Sequence, residues 1–502
     1  MNRSGLLALL SLAACAELGP ERIGDPDEVE LCVGEVEVPD ENLRLLLEEL
    51  LPQPEPPEGS MEEPPKVVLA EELRKLTGLR APGLGIADLR GLECAQSLKS
   101  LGVPDNAITD LAPLLNLTAL EELQLSNNMV ADLSVAGELT RLRTLVVDEN
   151  AITDIGPLAS LHELTYLDIG GNMVTDIGAL AELDGLTGLV LARNQITDLE
   201  PLRAAVRLFS LDLSDNMVES LEPLAGHPAL AFADLEGNAI RSLEPLADSV
   251  AMIAIDASRN QLESLAGIEG MAALDRLVAQ ENAITSTAPV AGLALLTTLD
   301  LSSNQVEALA GVETLANLRK LAIAENGVDS LDAVTGLGEL REIDVRTNPG
   351  IVDLGPLATL PLLGSVFIGG SGVELDLGPL AGRTILRRVH YENAIATDLS
   401  VLAELPTLDT LELDGTAVSA AAVADIAAAT KLRTLSIASA GVADLGPLAP
   451  LVELQSLDAS GNAITEIAVL AMWVNLTGVN LAENPLTSLV GLETHEFLAS
   501  LD

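Results

Sequence analysis

The sequence predicts an α/β solenoid, a stack of thin coils with parallel strands lining a concave face and short turns or 3-10 segments on the convex face. Three observations carry that expectation. Asparagine recurs at Asn106, Asn128, Asn150, Asn172, Asn194, Asn216, Asn238, Asn260, Asn282, Asn304, Asn326 and Asn348, each step being 22 residues. Apolar residues keep fixed places around each one; for Asn304 they are Leu296, Leu299 and Leu301 before it and Val306 and Leu309 after it. The 502 residues include one Trp, two Tyr and four Phe, so Leu, Ala, Val and Ile must fill the interior. Such a diet suits many thin, similar layers better than one large irregular core, and a chain of this length should be either several domains or an elongated array.

The elements follow in order. MNRSGLLALLSLAACAE opens with one cation, Arg3, and a short apolar run. The run is too short to span a bilayer and reads as a cleaved export signal over residues 1–14. Leu12-Ala13-Ala14-Cys15 resembles the lipobox of bacterial lipoproteins. That resemblance implies acylation at Cys15 and attachment to a membrane through lipid alone. Ala16 stands where Asp would signal inner-membrane retention, so the expected location is the outer membrane, facing the periplasm or the cell surface. Residues 15–35 form an acidic tether. ENLRLLLEELL, Glu41 to Leu51, carries leucines at helical spacing and opens a helical cap over residues 36–75. Its Pro/Glu-rich insertion at 52–65 cannot continue the helix.

Repeats occupy 76–502. Leu-x-Leu places two leucines inward and one side chain outward on a short strand, and the Asn amide serves backbone groups that the following bend leaves unpaired. The arrangement is the leucine-rich repeat pattern. Leu84 takes the Asn place of a degenerate first repeat, and Ser371, Ala394, Thr416 and Ala440 take it later, before Asn462 and Asn484. That makes about 19 repeats, with register slips near Pro349, within Glu374 to Leu377 and within Ser419 to Thr430. Return segments such as Ile152 to Ala159 contain proline and small residues, which favour turns and 3-10 pieces. The form resembles the internalin-like class of bacterial leucine-rich repeat proteins from about Val36 onward, the cap region included. No immunoglobulin-like segment or wall-anchoring tail follows the repeats, unlike many internalins, so invasion or adhesion is not implied.

For function, 76 acidic against 26 basic residues leave a formal charge of -50, which repels nucleic acid and anionic lipid; the acidity either keeps a long leucine-rich surface soluble or attracts a cationic partner. His162, His227, His390 and His495 fall in separate repeats, without metal-ligand spacing. No catalytic residue, metal or cofactor is expected. Calcium on neighbouring carboxylates would need about six to eight oxygens around one point. Outward strand places hold Asp168, Asp212, Asp234, Asp256, Asp300 and Asp344, then Glu412 and Asp458, a ridge interrupted at Val190, Val278 and Ala322. The ridge is either a docking surface or a device that keeps exposed strands polar. Near the slips, Arg346, Phe367, Arg388 and His390 form an aromatic and basic island, with Tyr166 and Phe232 at similar places elsewhere; it is either a binding patch or the drift of decaying repeats. Cys32 and Cys94 are either a bridge or two buried thiols in an oxidising compartment. The expected whole is a monomeric, exported binding scaffold for a protein or glycan partner. The alternative is an envelope spacer without a specific ligand.

Overall fold

The computed structural model describes residues 32–54, 65–492 and 500–501. The export signal, Cys15, the tether up to residue 31 and residues 55–64 of the insertion lie outside the described residues. Each repeat contributes one short parallel strand to a single sheet of twenty strands. The run Leu145, Leu167, Leu189 and Leu211 shows the register: these central residues are direct neighbours on successive strands, and each points into the core. A twentieth strand, Ser500–Leu501, pairs with Gly478–Asn480 past the nineteen repeats expected. Apolar side chains form one continuous core from Val38 to Leu481.

The asparagines form the spine of this core. Asn194 donates from Nδ2 to the carbonyls of Ile169 (3.0 Å), Leu191 (3.0 Å) and Ala192 (3.2 Å), while its Oδ1 accepts the Val174 N–H (2.9 Å). The pattern repeats from Asn106 to Asn348, each amide stitching its own bend to the preceding coil. An apolar core offers no such donors, and a buried backbone group left unpaired is costly. The residue before each Asn takes a left-handed conformation, for example Glu149 (φ 50°), Arg193 (φ 53°) and Asp215 (φ 51°), with Gly171 or Gly237 elsewhere. Side chains rarely adopt that conformation, and the Asn column holds it in place.

Between strands the chain returns through short pieces such as the 3-10 segment Gly156–Ser160. Pro157 lies in its first turn, and Asp154 Oδ1 accepts the Gly156 N–H at 2.7 Å. Most coils step by 22 residues, but Glu342 pairs with Ser365, Ser365 with Arg388 and Thr410 with Thr434. The last slip is absorbed by the α-helix Ala420–Ile426, capped by Ser419, whose Oγ accepts the Ala422 N–H at 3.1 Å. Where Ser371 replaces the amide, a void of about 10 Å³ opens among Val345, Asn348, Ile368 and Val373. In the next coil the buried Tyr391 hydroxyl takes over, accepting the Leu375 N–H (2.9 Å) and donating to the Ile395 carbonyl (2.8 Å). Thr416 then substitutes, donating to the Tyr391 carbonyl at 2.6 Å.

At the N-terminal end, the α-helix Glu41–Leu50 buries Leu43 and Leu47 against the first coils. Asp40 caps it, accepting the Leu43 N–H (3.0 Å) on one oxygen and the Ala87 N–H (2.8 Å) on the other, which ties cap to repeat. Cys32 and Cys94 are joined by a disulfide with Cα atoms 5.4 Å apart. Among the described residues, no helix is long and apolar enough to cross a membrane.

Candidate functional site

The strands bring Asp168, Asp212, Asp234, Asp256, Asp300 and Asp344 to one face, as the alternation of Leu-Asp-Leu requires. Asp212, Asp234 and Asp256 are immediate neighbours across three strands. Val190, Val278 and Ala322 interrupt the row, the last two buried.

These carboxylates do not stand free. Asp168 Oδ1 accepts the Gly170 N–H (3.0 Å), Asp212 the Ser214 N–H (2.9 Å), Asp256 the Ser258 N–H (3.1 Å) and Asp300 the Ser302 N–H (3.1 Å). Each Asp therefore closes its own bend, a local job that suits a short acceptor side chain. The consequence is partial burial, deepest at Asp300, which is 9% exposed. Burial pushes the Asp168 carboxyl up to about 6, with Asp148 and Asp212 adding repulsion. Asp234 is likewise pushed up to about 6, chiefly by burial and then by Asp212 and Asp256 on either side. Asp300 moves up for the same leading reason. Among the described residues, none of Asp168, Asp212, Asp234 and Asp256 has an ion pair.

The row ends at a network of a different character. Arg346 forms an ion pair with Asp344 (2.6 Å), reaches Glu392 (3.4 Å) and lies over the Phe367 ring, 5.5 Å from its centre. Phe367 and His390 are in register on adjacent strands, ring centres 5.7 Å apart. The His390 ring faces Glu412 through Nδ1 and Glu392 through Nε2, the latter at 2.8 Å. Arg388 lies two residues before His390 on the same strand, exposed, in the row of Ser365 and Thr410. Beside this network is a shallow groove of about 410 Å³, whose lining includes Asp300, Lys320, Glu325, Asp344, Arg346 and Phe367. Among the described residues, no group of three or more His, Cys, Asp or Glu side chains is arranged to hold a metal ion.

Two participants escaped the sequence reading. Glu392 was legible from alternation, since it lies two residues after His390 and so shares its face. Phe209, just before the strand Ser210–Asp212, packs edge-on against Phe232 with ring centres 5.3 Å apart, a pairing that only the stacking of coils shows.

Parallel one-strand coils, 3-10 returns and an amide spine define a leucine-rich repeat solenoid. The family description Leucine Rich repeats (2 copies) matches residues 140–182, and Leucine Rich repeat matches residues 293–313. The chain is similar to an internalin of Listeria monocytogenes, with 29% identity, a TM-score of 0.61, and coverage of 65% of this chain and 95% of that one. It also resembles a leucine-rich repeat protein of Leptospira interrogans, at 18% identity, TM-score 0.51 and coverage of 86% and 97%. A third likeness is to the plant peptide hormone receptor RGFR1 in complex with RGF2, at 14% identity, TM-score 0.51 and coverage of 82% and 79%. No curated protein sequence matches significantly.

Proposed function

We propose that this protein is an exported, non-enzymatic binding scaffold, held to a membrane by lipid on Cys15, that captures a protein or glycan partner on its concave face. Solenoid repeats build extended concave surfaces of this kind, and electrostatic steering raises the encounter rate for a partner of opposite sign. The observation that carries the reading is the unpaired run Asp212, Asp234 and Asp256. Three like charges on neighbouring strands repel one another, and an arriving cation relieves that repulsion. Nearby carboxylates elsewhere on the solenoid have basic partners, as Arg259 pairs with Asp215 and Glu236.

The test is charge reversal. Substituting Lys for Asp212, Asp234 and Asp256 together should abolish capture of the partner from envelope extract at low salt, and unchanged capture would overturn the proposal. A second reading, an envelope spacer, is favoured by the bond each Asp makes to its own bend; it is supported if the Lys triple variant folds normally and nothing is lost in capture. Anchoring is tested separately. Cys15→Ser should move the protein from the membrane to the soluble fraction, and continued co-sedimentation with membrane would refute lipidation.

A further inference from the structure

Three of the chain's seven aromatic residues, one Trp, two Tyr and four Phe, gather on one stretch of the concave side and remain exposed. Tyr166 is 37% exposed, Phe209 50% and Phe232 39%. In a core built from aliphatic side chains, rings left in water are not there to fill space. Register explains the arrangement. Tyr166, Gly188, Ser210 and Phe232 occupy the same place on four successive strands, so two rings stand at the ends of a row whose middle is nearly bare. The Tyr166 ring leans over that middle; a Cβ on Gly188 would come within 2.7 Å of it. At the other end Phe209 packs on Phe232 and widens the wall. Three strand spacings set Tyr166 and Phe232 about 14 Å apart along the sheet, with the Tyr166 ring covering Gly188 and the open part lying over Ser210.

Two residues further along each strand, and therefore on the same face, runs the parallel row Asp168, Val190, Asp212 and Asp234, continued by Asp256. A side chain lying in the slot thus has rings beside its stem and carboxylates at its tip. We infer that the slot between Tyr166 and Phe232 binds an extended, arginine- or lysine-rich segment of a protein partner, with alternate basic side chains stacked on the rings and paired to Asp168, Asp212 and Asp234. Alternate residues of an extended chain repeat every ~7 Å, so about three basic side chains fit the row. Cations sit favourably over aromatic faces, and arginine more so than lysine because its planar group also stacks. A neutral sugar would use the rings but would leave three negative charges uncompensated.

The inference rests on the concave face being a binding wall, and its test is chosen to fail separately. Fluorescence anisotropy with labelled hexa-arginine would be measured against the whole protein and three variants. Phe209→Ala with Phe232→Ala, and Asp168→Asn with Asp212→Asn and Asp234→Asn, should each weaken binding about tenfold or more. Asn retains the acceptor that each bend needs, and thermal melts confirm folding. Glu182→Gln with Glu222→Gln and Glu244→Gln removes the same number of charges from the convex 3-10 segments and should change affinity less than about twofold. Equal losses in both charge variants would mean diffuse attraction and overturn the inference. So would an unchanged affinity without the two phenyl rings, or displacement of hexa-arginine by chitohexaose. If these fail while envelope capture still depends on Asp212, Asp234 and Asp256, the binding wall stands and only the arginine- or lysine-rich occupant falls.

Discussion

Replacing Asn194 tests the amide spine with a magnitude that the structure supplies. Its three carbonyl partners do not depend on it. Ile169 also receives Asn172, Leu191 also receives Asn216, and Ala192 also receives the Gly171 N–H. The Val174 N–H, by contrast, has Asn194 Oδ1 as its acceptor, and Val174 is fully buried. Asn194→Ala therefore strands one buried donor, at a cost of about 1–3 kcal/mol, rather than four groups at several times that. Asn194→Asp separates the two halves of the amide. It keeps an acceptor for Val174 but turns a second, negative oxygen toward three carbonyls, so at pH 7 it should be worse than Ala. Acidification should rescue it, because a protonated carboxyl regains one donor. Urea unfolding of the three proteins at pH 7 and pH 5, with hydrogen exchange followed at the Val174 amide, reads both effects. An Ala variant within about 0.5 kcal/mol of the parent, or an Asp variant as stable as Ala at pH 7, would refute the reasoning.

Other outcomes follow from the same geometry. Asp168 and Asp234 have folded values of about 6 against an ordinary 3.8, so the folded state holds their protons more tightly. Stability from these groups is present at low pH and falls as pH rises toward 6; allowing for solvent screening, each contributes about 1 kcal/mol. Asp168→Asn with Asp234→Asn should flatten the pH dependence of the melting temperature between pH 4 and 7, and an unchanged slope would count against burial as its cause. The Cys32–Cys94 bridge closes a 62-residue separation. Chain-entropy arguments give it about 4 kcal/mol at most, so Cys32→Ser with Cys94→Ser should loosen the cap helix first, seen as faster exchange at Leu43 and Leu47. Ser419→Ala removes the cap of the helix that absorbs the two-residue slip and should cost about 1 kcal/mol by urea unfolding. No measurable change there would show that packing of Val423 and Ile426 alone fixes the insertion.

The architecture was legible because one coil obeys one rule and the rule recurs. The Asn column, the inward leucines and the slips at Pro349, Glu374 to Leu377 and Ser419 to Thr430 all fall where their spacing places them. What spacing does not carry is substitution of one chemistry by another. Nothing in the sequence around Tyr391 says that its hydroxyl does the work of a missing amide, because the residue reaches back one coil to Leu375. Left-handed residues such as Glu149 and Arg193 are similarly invisible, since their side chains are ordinary in that place only because the following Asn holds the bend. The concave row was legible as a row, but its half-burial was not. That depends on the Asp at each strand end accepting the N–H two residues on, which brings the carboxyl down against the sheet.

The concave wall is tested most directly by asking which side of the solenoid touches the partner. A photo-crosslinking side chain placed at Asp234 on the inner face, or at Glu222 on the convex 3-10 segment, would be irradiated in intact envelope. Adducts of one defined mass from position 234 and none from position 222 are the expected result. Adducts from 222 alone, or the same adducts from both, would contradict a partner bound along the inner wall.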